Sequence, residues 1–187
     1  MSFSKTTKKN IKDLPDDDGE FQVQLLDHNA KVPTRAHEGD VGYDLYALER
    51  TVMPAGGQSV KVRTGIAITP PEGYFGKIEE KSGLALKRGI STRGGIIDKK
   101  YTGEVIVVLA NNGGTKKNDM DTVMKCLKEY ESQDHSSIMR SYFDHIFEAG
   151  DKIAQLVFYK VKTPKPKIVK KLNEGTRGSD GFGSTGN

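Results

Sequence analysis

Asp98 and Tyr101 stand three residues apart inside the run Gly94-Gly95-Ile96-Ile97-Asp98-Lys99-Lys100-Tyr101-Thr102-Gly103-Glu104. Two glycines, two β-branched residues, a carboxylate and an aromatic describe a β-hairpin. A hairpin can offer rigid backbone donors and acceptors to the flat edge of a ligand, which separates similar ligands well. Asp98 at its mouth is placed to take a proton from water. Tyr101 is placed to pack beneath a sugar and to leave no room for an extra hydroxyl. An aspartate in such a run serves equally as a turn cap, so the hairpin alone does not decide between chemistry and architecture.

Four other clusters carry chemistry. In Glu80-Lys81-Ser82-Gly83-Leu84-Ala85 a hydroxyl and converging N–H groups suit a phosphate, although most Ser-Gly pairs are turns. In Asp40-Val41-Gly42-Tyr43-Asp44-Leu45, Asp44 lies between an aromatic and an apolar residue, where it could hold a cation or sit at a strand edge. In Gly150-Asp151-Lys152-Ile153-Ala154-Gln155-Leu156, Gln155 is a polar residue in an apolar run and needs hydrogen-bond partners. The last thirteen residues place Arg177, Phe182, Gly183, Ser184 and Thr185 among glycines at 175, 178, 181, 183 and 186. A guanidinium fork, a flat ring and two hydroxyls on a glycine-rich arm suit a lid over a nucleotide triphosphate. A Gly/Ser-rich tail without function has the same composition.

The elements that must position these residues read as β. Phe21, Val23 and Leu25 alternate with Gln22 and Gln24, as a strand with one buried face requires. Short strands are predicted at Val60–Val62, Ile66–Ile68, Tyr74–Ile78, Glu104–Ala110, Ile153–Val161 and Lys167–Lys171. Pro54-Ala55-Gly56-Gly57, Pro70-Pro71-Glu72-Gly73, Gly94-Gly95 and Asn111-Asn112-Gly113-Gly114 punctuate them. Many short strands with Gly/Pro turns predict an all-β fold, a jelly-roll-like distorted β barrel. The period changes near residues 115–147, where Met120, Val123, Met124, Leu127 and Tyr130 fall at helical spacing. An α-helical insertion is predicted there, although residues 142–147 fit a strand as well. Three parts follow: a polar, disordered leader over 1–20, the β domain over 21–172 and a flexible arm over 173–187.

Composition narrows the function classes. The 187 residues are 35% hydrophobic and 29% charged, polar for a globular domain, so part of the chain is expected to be solvated or to complete its core in an oligomer. The lone Cys126 excludes an intrachain disulfide. The four histidines are scattered, and no Cys/His spacing suits zinc. No apolar run is long enough to span a membrane and no signal-like h-region opens the chain. The expected location is cytoplasmic, with the nucleus open to a eukaryotic or viral source. The net charge of +4 includes six lysines between Lys160 and Lys171, which lack interleaved aromatics and read as a solvated strand rather than a nucleic-acid interface.

Taken together and in this order, the five clusters closely resemble the five motifs of the trimeric dUTP diphosphatases. The first motif matches Asp40 to Leu45, the second Lys81 to Ala85, the third Gly95 to Glu104, the fourth Gly150 to Leu156 and the fifth Arg177 to Gly186. The resemblance covers Phe21 to Gly186 apart from the insertion. It implies a homotrimer that hydrolyses dUTP to dUMP and pyrophosphate, with sites at subunit interfaces. It implies that Asp98 activates the attacking water, that Gly95 and Ile97 read uracil through backbone groups, and that Tyr101 packs on the deoxyribose. Ser82, Gly83 and Gln155 match residues near the phosphates, with Lys81 beside them. Asp44 matches the aspartate associated with Mg²⁺ through water. Arg177, Phe182, Gly183, Ser184 and Thr185 match an arm that closes over a neighbouring subunit's site. Lys81 departs from the pattern, which has arginine there, and a lysine cannot make a bidentate contact. Some bacteriophage members carry extra structure where the insertion falls, associated with protein contacts, so a protein partner through residues 118–146 is an open expectation beside the favoured one, that its apolar stripe packs on the barrel or the trimer rim. Two other readings are a dCTP deaminase-like relative on the same barrel and a non-catalytic binding protein.

Overall fold

The computed structural model describes residues 19–113 and 144–173. The predicted helical stretch up to residue 143 and the arm carrying Arg177, Phe182, Gly183, Ser184 and Thr185 lie outside them, as do most of the leader and its charged residues.

Eleven strands and one short helix are formed among the described residues: β1 Gln22–Leu25, β2 Tyr43–Tyr46, β3 Thr51–Met53, β4 Ser59–Arg63, β5 Ile66–Thr69, β6 Tyr74–Glu79, α1 Ser82–Arg88, β7 Ile90–Thr92, β8 Ile96–Ile97, β9 Ile106–Asn111, β10 His145–Phe147 and β11 Lys152–Lys160. All named strand pairings are antiparallel. The sheets run β2-β11-β6-β8, β4-β9-β7, β1-β5 and β3-β10. The fold is all-β, as expected, built from small sheets around one core rather than from a single continuous ladder.

Period-2 alternation sets that core. Val62, Val107 and Leu109 project inward from β4 and β9, and Ile78, Ile97 and Leu156 from the four-stranded sheet. Leu45, Met53, Ile66, Phe147 and Ile153 complete it, each almost wholly removed from water. Burying each side chain of that size stabilises the fold by about 1.5–3 kcal/mol.

Four local expectations are corrected. Residues 145–147 form β10 against β3, so the last residues of the 115–147 region are strand. Lys167–Lys171 forms no strand, and Ile168 is fully exposed. Pro164 and Pro166 just before it have no N–H to give to a ladder. Leu25 is half exposed, so Val23, and Phe21 just before β1, are buried more than the far end of the strand. Helix α1 was not foreseen, because it has no buried residue and hence no apolar stripe to reveal it. Gly89 ends it in the left-handed conformation, φ 62°, with Lys87 and Arg88 in its last turn.

Candidate active site

The four-stranded sheet sets out two groups of side chains. The first lies where β2, β11 and β6 run side by side. Asp44 is opposite Gln155, and Gln155 is opposite Glu79. Two residues beyond β6, Lys81 caps α1 through its backbone while its ammonium reaches back to Asp44 Oδ1. Lys152 Nζ lies 2.7 Å from Asp44 Oδ2. A carboxylate only 4% exposed is thus held between two cations, so Asp44 is not a surface aspartate, although β2 is the outermost strand of its sheet. Burial alone would push the Asp44 carboxyl up. Hydrogen bonds from Lys152 and Lys81 outweigh burial and hold it below its ordinary value of 3.8. The same bond raises Lys152.

Two cations on one carboxylate leave local positive charge beside Ser82 and Gly83. These two residues are exposed in the first turn of α1, where N–H groups have no intrahelical acceptor. A Cβ at Gly83 would meet nothing within 4 Å, so the backbone there is open to approach. At Gly42 a Cβ would stand 3.1 Å from Gln155 Cδ and Oε1. The bare backbone of Gly42 therefore gives the Gln155 amide its berth.

The second group is the hairpin after β8. Ile78 N–H donates to Gly95 C=O at 2.8 Å. Two residues along, Gly76 is opposite Ile97 and takes the same hydrogen-bonded type of pairing. The backbone of Ile97 is therefore turned toward β6, with its side chain in the core, and Ile96 turns its backbone to the open edge. Asp98 is exposed, and its C=O accepts from Tyr101 N–H at 3.0 Å. Tyr101 lies across Gly103, and its hydroxyl donates to Glu104 C=O at 2.9 Å.

The two groups are not one constellation within the protomer. Asp98 follows the residue opposite Gly76, whereas Gln155 is opposite Glu79, roughly 10 Å further along β6. Three strand spacings, about 14 Å, separate β8 from β2. Sequence reasoning missed Lys152, although a basic residue three before Gln155 in the fourth cluster was a usable signal. It also missed Gly42 and Glu104, whose contacts are made across strands and leave no local pattern.

The family model described as dUTPase matches residues 28–118 and 141–186. The chain belongs to the dUTPase family. All five clusters fall within the matched stretches, and residues 119–140 fall between them. The deoxyuridine 5′-triphosphate nucleotidohydrolase of Saccharomyces cerevisiae is 38% identical over 168 residues, 89% of this chain and 95% of that one. The dUTPase of Staphylococcus bacteriophage 80alpha, solved with dUpNHpp, superposes with a TM-score of 0.66 at 27% identity, over 90% of this chain and 99% of that one. A mutant dUTPase from phage phi11 of S. aureus, solved with a structural Mg(II) ion, gives 0.65 at 29% identity, over 83% and 100%. Among the described residues of this dUTPase-family chain, no group of three or more His, Cys, Asp or Glu could hold a metal ion by itself, and no helix is long and apolar enough to cross a membrane.

Proposed function

We propose that the protein hydrolyses dUTP to dUMP and pyrophosphate at sites assembled between protomers of a homotrimer. Asp98 takes a proton from a water, whose oxygen attacks the α-phosphorus. The bond from that phosphorus to the bridging oxygen of the β-phosphate breaks, and pyrophosphate leaves. The hairpin that Gly95 and Ile97 anchor against β6 binds uracil through its backbone, with the open edge at Ile96 supplying the free N–H and C=O, and Tyr101 packs on the deoxyribose. Lys81, Ser82, Gly83 and Gln155 of a second protomer hold the phosphate chain. Arg177, Phe182, Gly183, Ser184 and Thr185 close over it, the ring stacking on the base and the guanidinium meeting phosphate oxygens.

With no group of three or more His, Cys, Asp or Glu among the described residues, Asp44 fits Mg²⁺ where substrate phosphates supply further ligands, as this ion ordinarily requires. Asp44 would hold it through water, in competition with Lys81 and Lys152, and the bound ion would neutralise phosphate charge. The observation that carries this reading is the exposed Asp98–Tyr101 hairpin, anchored by a buried Ile97 and set in a chain that matches the dUTPase family. The deciding experiment is pyrophosphate release from dUTP, dTTP, UTP and dCTP with Mg²⁺ present. Selective turnover of dUTP is expected. Deaminated product from dCTP, or no turnover of dUTP by folded protein, would overturn the reading.

A second reading, an added protein contact through residues 118–146, is favoured by one observation: the family match stops at 118 and resumes at 141.

A further inference from the structure

The hairpin aromatic is held by a clamp that the reaction itself does not require. Tyr101 N–H donates to Asp98 C=O, and the Tyr101 hydroxyl donates to Glu104 C=O. The ring lies so close over Gly103 that a Cβ there would stand 2.6 Å from the hydroxyl and 2.8 Å from Cζ. Glu104 is in turn tied to a different part of the fold. Its Oε1 accepts from Gly65 N–H at 2.8 Å, and its Oε2 accepts from Arg63 Nε at 3.1 Å. Thr64 Oγ1 donates to Val105 C=O at 2.6 Å, and Val105 N–H donates to Ile66 C=O at 2.8 Å. The turn between β4 and β5 therefore grips the returning arm of the hairpin at four points. Gly65 has little freedom to shift: it sits at φ 69°, and a Cβ there would meet Ala30 and Leu48 at 2.9 Å.

We propose that Gly103 and Glu104 form a seat for the Tyr101 ring, and that this seat sets how strictly the enzyme refuses a 2′-hydroxyl. Tyr101 is 46% exposed, so its ring has no core to pack in and would otherwise sample several rotamers. A ring that excludes one oxygen atom from a sugar has to be fixed to a fraction of an ångström. Gly103 supplies the space and Glu104 the anchor, carried to the core through Gly65. Both are positioning residues that act through Tyr101. The inference rests on the reading of Tyr101 as the deoxyribose platform.

The test compares kcat/KM for dUTP with kcat/KM for UTP in four variants. In Gly103→Ala the backbone is not forced into the left-handed region, and the three atoms nearest the new methyl all lie at the far end of an exposed side chain. The ring must move, and the dUTP/UTP ratio is expected to fall ~10-fold or more, the size of a lost steric or polar discrimination in a site. Glu104→Gln, which gives up the charge facing Arg63, and Tyr101→Phe, which gives up the bond to the Glu104 carbonyl, are expected to lower the ratio less. Tyr101→Ala serves as the reference and is expected to lose most of the discrimination. A merely architectural role would lower the melting temperature and both activities together with the ratio unchanged, and that result overturns the seat. If Tyr101→Ala itself keeps the ratio, the sugar platform fails and takes the seat with it. If Tyr101→Ala loses the ratio while Gly103→Ala and Glu104→Gln keep it, the platform stands and the seat alone is wrong.

Discussion

Replacing a single oxygen by nitrogen in Asp98→Asn keeps the size and turn-forming ability of the side chain and removes its basicity. Asp98 is exposed, and its hydrogen bond to Tyr101 is made by its backbone carbonyl rather than its carboxylate, so the fold is expected to persist. Turnover of dUTP should fall by ~10²-fold or more, the usual worth of a positioned general base, while a non-hydrolysable analogue still binds by calorimetry. Loss of analogue binding would make the residue structural. Asp44 calls for a different probe, because it is buried and paired. Its depressed pKa means the folded chain binds fewer protons than the unfolded one in acid. The stabilisation is therefore complete above its ordinary value of 3.8 and disappears as pH falls through the lower folded value. Lys152→Met removes the larger of the two hydrogen bonds that work against burial, so the folded pKa rises and the stabilisation shrinks. Wild type should exceed Lys152→Met in urea midpoint at pH 7, and the gap should close as the pH is lowered past 3.8. A gap independent of pH would place the contribution of Lys152 in its aliphatic stem instead.

The hairpin depends on one backbone geometry. Gly95 sits at φ 109°, and a Cβ there would stand 3.0 Å from the Ile78 carbonyl oxygen. Gly95→Ala must therefore strain the backbone or part β8 from β6, at about 1–3 kcal/mol. For a chain of this length that amounts to a fall of roughly 2–4 °C in melting temperature per kcal/mol, with a larger loss of activity than of stability because the displaced element carries Asp98. Unchanged melting and activity would show that the hairpin tolerates another path. This glycine was legible in the sequence as a turn, and so were the strands that bury alternate residues, since period-2 burial is written locally. What was not legible was decided across strands. Asp44 was open between cation holder and edge residue because Lys81 and Lys152 reach it from other elements. Helix α1 left no periodic trace because nothing in it is buried. Lys167–Lys171 carries the adjacent β-branched residues Ile168 and Val169, as strands often do, yet it finds no ladder among the described residues.

At the scale of the whole molecule, the arrangement of the four-stranded sheet argues for shared sites. The Asp98–Tyr101 hairpin, to which the proposed reading gives the base and the water, follows β8, whereas the residues it gives to the phosphates lie by β2, β11 and the start of α1, several strand spacings away. Both groups face solvent or lie at its edge, with Asp98, Tyr101, Ser82 and Gly83 all exposed. A symmetric oligomer can bring the first group of one copy against the second group of the next, and a closed ring repeats that junction at every interface. Complementation tests this directly. Asp98→Asn and the double variant Lys81→Ala/Ser82→Ala are each expected to be inactive alone. Unfolded together in equal amounts and refolded, they should regain activity, because random mixing gives about a quarter of the junctions an intact Asp98 from one copy and an intact phosphate site from its neighbour. Sites confined to one chain would regain none, since no chain in the mixture carries both halves.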